Sequence, residues 1–365
     1  MPGIKKILKA PLYRLVDYLA TSHYAKEKLW QTGRDLFVQA RPGSIERIAL
    51  APLPSRYRET LPQVRTGTPK NDPIFITARF RSGSTFLWQL FRNIDGVTCY
   101  YEPLNEAEWM TRDSDATQVD TTHIGVDGYR SEYKGLEDLA EFFDPEWAFQ
   151  QLYMDETHHN PKLEYYISQL IKRTPGGRTV LQFNRVDFRL PWLRAHFPQA
   201  RILHLYRHPR EQWMSIIGKG AAIRPDHRIK PGQIDSLDGF YTLEWARDLR
   251  HVFPFLEPAG KHLYELHYLL WRLSYSLGRA YGDLSVCYED LIGDFERVAS
   301  EMFDAVGIRH PDIARLAELN HGSQKTRWPD YASDAWFNDM EAQCDHALET
   351  FFSDITPAGT GQSPC

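Results

Sequence analysis

Cysteine is scarce in this chain of 365 residues. Cys99, Cys287, Cys344 and Cys365 show neither metal-ligand spacing nor the density of a disulfide framework, so a zinc-stapled or secreted disulfide scaffold is a poor reading. A reducing, cytoplasmic setting is the expectation. No apolar run reaches the ~18 residues of a membrane-spanning helix. The N-terminus lacks the apolar core and small-residue cleavage site of a secretory leader. A basic excess is missing too: the formal net charge is −5, which argues against nucleic acid as a partner. No internal repeat is visible. What remains is an ordinary globular composition, 42% apolar, with room for one large core.

Residues 73–86 organise the rest. Ile74 to Ala78 is a short apolar run and reads as a buried strand, followed by a tight turn of small and basic residues, Arg79 to Ser84. Phe86, Leu87, Leu90, Phe91 and Ile94 then fall on one face of a helix. A strand, a small-residue turn and a helix N-terminus make an anion cradle, because the first helical N–H groups have no partner within the helix and the dipole favours negative charge. Gly83 permits close backbone approach, and Ser82, Ser84 and Thr85 add hydroxyl donors. The nucleotide-triphosphate loop requires Gly-Lys-Ser/Thr here, but Ser84 stands where the lysine belongs and the charge sits at Arg81. No strand ends in a convincing magnesium-binding aspartate, so an ATPase fits poorly.

Further apolar runs follow at Val97 to Tyr101, Thr179 to Phe183, Arg201 to Tyr206 and Leu284 to Tyr288, separated by helical stretches. Alternation of this kind predicts a parallel sheet covered on both faces, with ligands beyond the carboxyl ends of its strands. Glu102, Asn184, Arg185 and Arg207 all stand at such ends. His123, His158 and His159 are chemically able to act as a base or ligand but lack partners at metal spacing and read as solvent-facing or core-satisfied, and His251, His262 and His267 read as structural.

Arg81-Ser82-Gly83-Ser84-Thr85 resembles the 5′-phosphosulfate loop of the sulfotransferases that use 3′-phosphoadenosine 5′-phosphosulfate. Arg207 with Ser215 eight positions later resembles that family's 3′-phosphate site, and Tyr288-Glu289-Asp290-Leu291 resembles the element that completes its sheet. The resemblance spans about residues 70–330 and is of a bacterial type. It implies an α/β three-layer sandwich with a central parallel sheet of P-loop type. On the donor it implies contacts from Arg79, Arg81, Ser82, Gly83, Ser84 and Thr85, from Arg207 and Ser215, and from Lys325 and Arg327 in a closing loop. It further implies Glu102 as general base, with Arg81 and Arg185 at the reacting group. The product would be adenosine 3′,5′-bisphosphate, with no metal. The acceptor would be a hydroxyl on a small molecule such as a phenol, on a glycan, on a lipid or on a protein tyrosine. A kinase-like phosphotransferase and a non-catalytic nucleotide-binding scaffold are the alternatives.

Residues 1–68 read as a helical arm and linker, 69–355 as the sulfotransferase domain and 356–365 as a disordered tail. Within the arm, residues 1–32 carry Lys5, Lys6, Lys9 and Arg14, which suit peripheral contact with an anionic membrane. Packing of that helix on its own domain or a partner subunit is the other reading. Residues 218–240, polar with Gly and Pro, read as a lid. The acceptor and the oligomeric state stay open at this stage.

Overall fold

A computed structural model describes residues 61–62, 72–111, 119, 123–218, 223–233, 240–322 and 325–355. The basic arm, most of its linker, parts of the expected lid and the C-terminal tail lie outside the described residues. No described helix is long and apolar enough to cross a membrane.

Six strands form one sheet: β1 (Leu61–Pro62), β2 (Ile74–Ala78), β3 (Val97–Tyr101), β4 (Arg178–Phe183), β5 (Arg201–Tyr206) and β6 (Leu284–Cys287). Their spatial order is β1-β6-β5-β2-β4-β3. Five are parallel, and β1 adds antiparallel to β6 at the edge. β2, β4, β5 and β6 are buried along their whole length, as strands covered on both faces must be. Phe75 of β2 sits in register with Leu181 on one side and Ile202 on the other. The chain leaves β2, passes outside β4 to form β3, returns through β4, and only then crosses to β5. Strand order therefore reverses around β2, and that reversal opens a crevice at the carboxyl ends.

Helices pack on both faces. α1 (Ser84–Arg92) follows β2, α2 (Pro161–Lys172) precedes β4, and α3 (Leu190–His196) follows it. α4 (Pro209–Ile217) follows β5 and begins with proline at a position whose N–H would have no helical partner. Next come α5 (Thr242–Leu249) and α6 (Leu263–Tyr281), parted by a segment that holds Pro254 and Pro258. α6 is buried almost all round, which makes it a core helix. It starts on a histidine: Tyr264 N–H donates to His262 Nδ1 (2.9 Å) and Glu265 takes the His262 N–H (2.8 Å), closing a capping box. Beyond β6 come α7 (Tyr288–Gly293), α8 (Phe295–Val306), α9 (Ile313–Ala317) and α10 (Asp334–Ile355). Tyr288 opens α7 rather than ending β6, a small correction to the expected strand. The described residues between β3 and α2 include three short 3-10 turns, Ser131–Tyr133, Glu137–Phe142 and Pro145–Ala148.

Candidate active site at the carboxyl ends of the strands

The turn from β2 into α1 takes two left-handed residues, Arg81 (φ 63°) and Gly83 (φ 94°). Gly83 caps α1, with Leu87 N–H donating to its carbonyl at 3.2 Å. Glycine is required there twice over: by the positive φ, and because a Cβ would collide with the Tyr288 ring. The turn sorts its side chains. Ser82 Oγ donates inward to the Arg79 carbonyl (2.6 Å) and is fully buried. Arg79 is also buried, 3.9 Å from Asp187 and over the Trp245 ring. Arg81, Gly83, Ser84 and Thr85 face a cleft of about 470 Å³.

The end of β5 supplies the second cation. Arg207 Nη1 donates to the Arg81 carbonyl (3.2 Å), and Arg81 Nε donates to Ser215 Oγ on α4 (2.9 Å). Arg207 lies over the Tyr288 ring and 3.7 Å from Glu289, whose carboxyl burial pushes up and Arg207 pulls back. Glu289 also accepts from the His208 N–H at 3.2 Å. The Tyr-Glu-Asp-Leu element thus braces Arg207. Trp271 Nε1 holds the Arg207 carbonyl at 2.9 Å.

The ends of β3 and β4 meet across the cleft. Glu102, left-handed at φ 43°, is buried and accepts three donors: Asn184 Nδ2 (2.5 Å), Asn105 Nδ2 (2.5 Å) and Arg185 Nη1 (2.9 Å). Arg185 then reaches Glu106 (2.7 Å), which accepts the Tyr241 hydroxyl (2.6 Å), and stacks on Phe80.

The structure gathers Arg81, Gly83, Ser84, Thr85, Glu102, Arg185, Arg207 and Ser215 along one cleft. It does not bring Arg79 and the Ser82 hydroxyl there, because the tight turn directs alternate side chains to its buried side. Nor do Lys325 and Arg327 line it. Glu211 holds the Arg327 N–H at 2.7 Å, Lys325 is exposed, and His321 and Gly322 form that part of the wall instead.

The sequence reading of His123 as solvent-facing or core-satisfied needs correcting. His123 lines the cleft, with Nε2 3.2 Å from Thr85 Oγ1 and Nδ1 2.5 Å from the Tyr129 hydroxyl. No spacing signal pointed to it, since its partners belong to other segments. Asn105 and Glu106 were likewise invisible beyond their closeness to Glu102 in the chain.

The solved structures that resemble the chain include the sulfotransferase domain of the Synechococcus PCC 7002 olefin synthase, at 18% identity over 80% of this chain and 98% of that one, TM-score 0.36. Sulfotransferase STF9 from Mycobacterium avium matches at 15% identity over 77% and 76%, TM-score 0.40. Mouse sulfotransferase SULT7A1, solved in complex with PAP, matches at 16% over 80% and 86%, TM-score 0.35. No curated protein matches the chain. The family model described as the sulfotransferase family covers residues 73–312. On that match, about two thirds of its length, the chain belongs to the sulfotransferase family.

Proposed function

We propose that the chain moves a sulfonate group from 3′-phosphoadenosine 5′-phosphosulfate to an acceptor hydroxyl on a small molecule, glycan or lipid. The observation that carries this reading is the sharing of one cleft by Arg81 and Arg207, with Ser215 bonded to Arg81. The donor set fits a doubly phosphorylated adenosine: two guanidinium groups, three hydroxyls, a helix N-terminus and a glycine where backbone approach is closest. When bound, the donor supplies an activated sulfonyl group and a phosphate leaving group.

The chain's own residues supply the rest. Arg81 and the amides at the start of α1 hold the 5′-phosphosulfate, so that donors stand ready where charge grows on the leaving oxygen. Arg207 and Ser215 hold the 3′-phosphate. Glu102, aimed by Asn184 and Asn105, accepts the proton of the acceptor hydroxyl, and Arg185 places positive charge beside the transferred group.

Two measurements test this. Titration calorimetry with adenosine 3′,5′-bisphosphate should show binding, and labelled sulfonate from the donor should appear on a member of a hydroxyl acceptor panel. Binding of ATP with magnesium in place of the bisphosphate would favour a kinase-like phosphotransferase and overturn the proposal.

A further inference from the structure

The Thr85 hydroxyl stands at the head of α1, where the helix presents its unpaired N–H groups, and it does not stand alone. Tyr101 OH lies 3.1 Å and His123 Nε2 3.2 Å from Thr85 Oγ1. Behind the histidine, Tyr129 OH lies 2.5 Å from Nδ1, and the Tyr129 ring stacks on Tyr101 at 4.4 Å. Tyr101 and Tyr129 are buried, so protein groups rather than bulk water satisfy this chain of polar atoms.

We propose that His123 is a positioning residue for the anion loop: its Nε2–H holds Thr85 Oγ1 so that the Thr85 proton points at the 5′-phosphate end of the nucleotide. A neutral imidazole has one N–H and one lone pair. With the Tyr129 phenol donating to Nδ1, the imidazole proton is on Nε2 and faces Thr85. The threonine oxygen then accepts from His123; in its contact with Tyr101 either hydroxyl can donate, and an anion in the cleft selects the arrangement in which Tyr101 donates. The Thr85 proton is then left for an anion in the cleft, and a charge-assisted hydrogen bond of this kind is among the stronger ones available. Thr85 alone would let its proton rotate among several acceptors. His123, carried 38 residues further along the chain, removes that freedom.

This inference rests on the reading of the loop as a 5′-phosphosulfate site, and the test separates the two. The full chain is titrated with adenosine 3′,5′-bisphosphate and with adenosine 3′-monophosphate, which lacks the 5′-phosphate. Thr85→Val and His123→Phe should each weaken the bisphosphate about tenfold, the scale of one lost charge-assisted bond. The double variant should lose no more than the worse single one. His123→Gln, whose amide N–H can stand in for Nε2–H, should recover most of the affinity, and all variants should bind the monophosphate as the parent does. Losses that multiply to about a hundredfold in the double variant, or that fall equally on the monophosphate, overturn the positioning role. A parent that binds the monophosphate but gains nothing from the added 5′-phosphate instead removes the loop reading, and this inference with it.

Discussion

Arg207 donates to the main-chain carbonyl of Arg81 at 3.2 Å, across 126 residues of chain. The contact fastens the end of β5 to the turn after β2, so the two cationic motifs are parts of one surface. Arg207→Ala should therefore weaken adenosine 3′,5′-bisphosphate binding roughly 30- to 100-fold, and Arg207→Lys should restore only part of that, because an ammonium lacks the guanidinium fork. Titration calorimetry checks this. An unchanged affinity in Arg207→Ala would remove the 3′-phosphate assignment.

Gly83 combines a φ of 94° with the Tyr288 ring in the space a Cβ would need. Gly83→Ala should cost about 1–3 kcal/mol of stability from backbone strain and collision together. Adding Tyr288→Ala relieves the collision and leaves the strain, so the double variant should recover part of the loss. Chemical denaturation of the three variants measures both contributions.

Glu102→Gln should keep bisphosphate affinity within a few-fold and lower turnover about 10²- to 10⁴-fold, the range for removing a general base. Turnover at the parental rate would give the proton to another group, and loss of affinity alone would fit a binding scaffold.

Three buried histidines set an acid limit on stability. Burial pushes His204 and His267 down to about 3 and His262 to about 4, from an ordinary 6.5. Their folded values lie below the unfolded one, so the stability they contribute is complete above pH 6.5 and falls as pH drops toward 3 to 4. Each should add up to about 1.4 kcal/mol of loss per pH unit in that window. Asp187 and Glu289, raised by burial, act in the opposite sense where carboxylates titrate. Urea unfolding between pH 7 and 5 should show the decline. His267→Gln, which keeps a donor for the Pro209 carbonyl, should flatten it; an identical slope would place the acid loss elsewhere.

Arg210 and Glu341 form a buried bidentate pair, 2.7 Å at both contacts, that ties α4 to α10. The Trp328 and Phe337 rings, packed edge to face on each other, both lie about 5 Å from the guanidinium carbon. Glu341→Ala should cost about 3 kcal/mol, the low end for a broken buried pair, since Asp334 and Asn338 still reach Arg210. Guanidinium denaturation gives the number directly, and a loss below the range for surface pairs would mean the tie is not needed.

The strands Ile74–Ala78, Val97–Tyr101 and Arg201–Tyr206 were readable residue for residue. Each is a short apolar run closed by a polar or turn residue, which is a local property. The same holds for the anion loop. Which side chains of the loop reach the cleft was not local. Two positive φ angles turn Arg81 outward and Ser82 inward, and the letters alone do not fix those angles. His123 and the donors around Glu102 were hidden for a related reason: Thr85 meets His123, and Glu102 meets Asn184 and Arg185, only through contacts between distant segments. Sequence by itself determined the order of buried strands and the chemistry waiting at their ends, because burial and turn preference act over a few residues. Tertiary structure decided which of those ends share a cleft, because the reversal of strand order around β2 is what brings them to one side of the sheet.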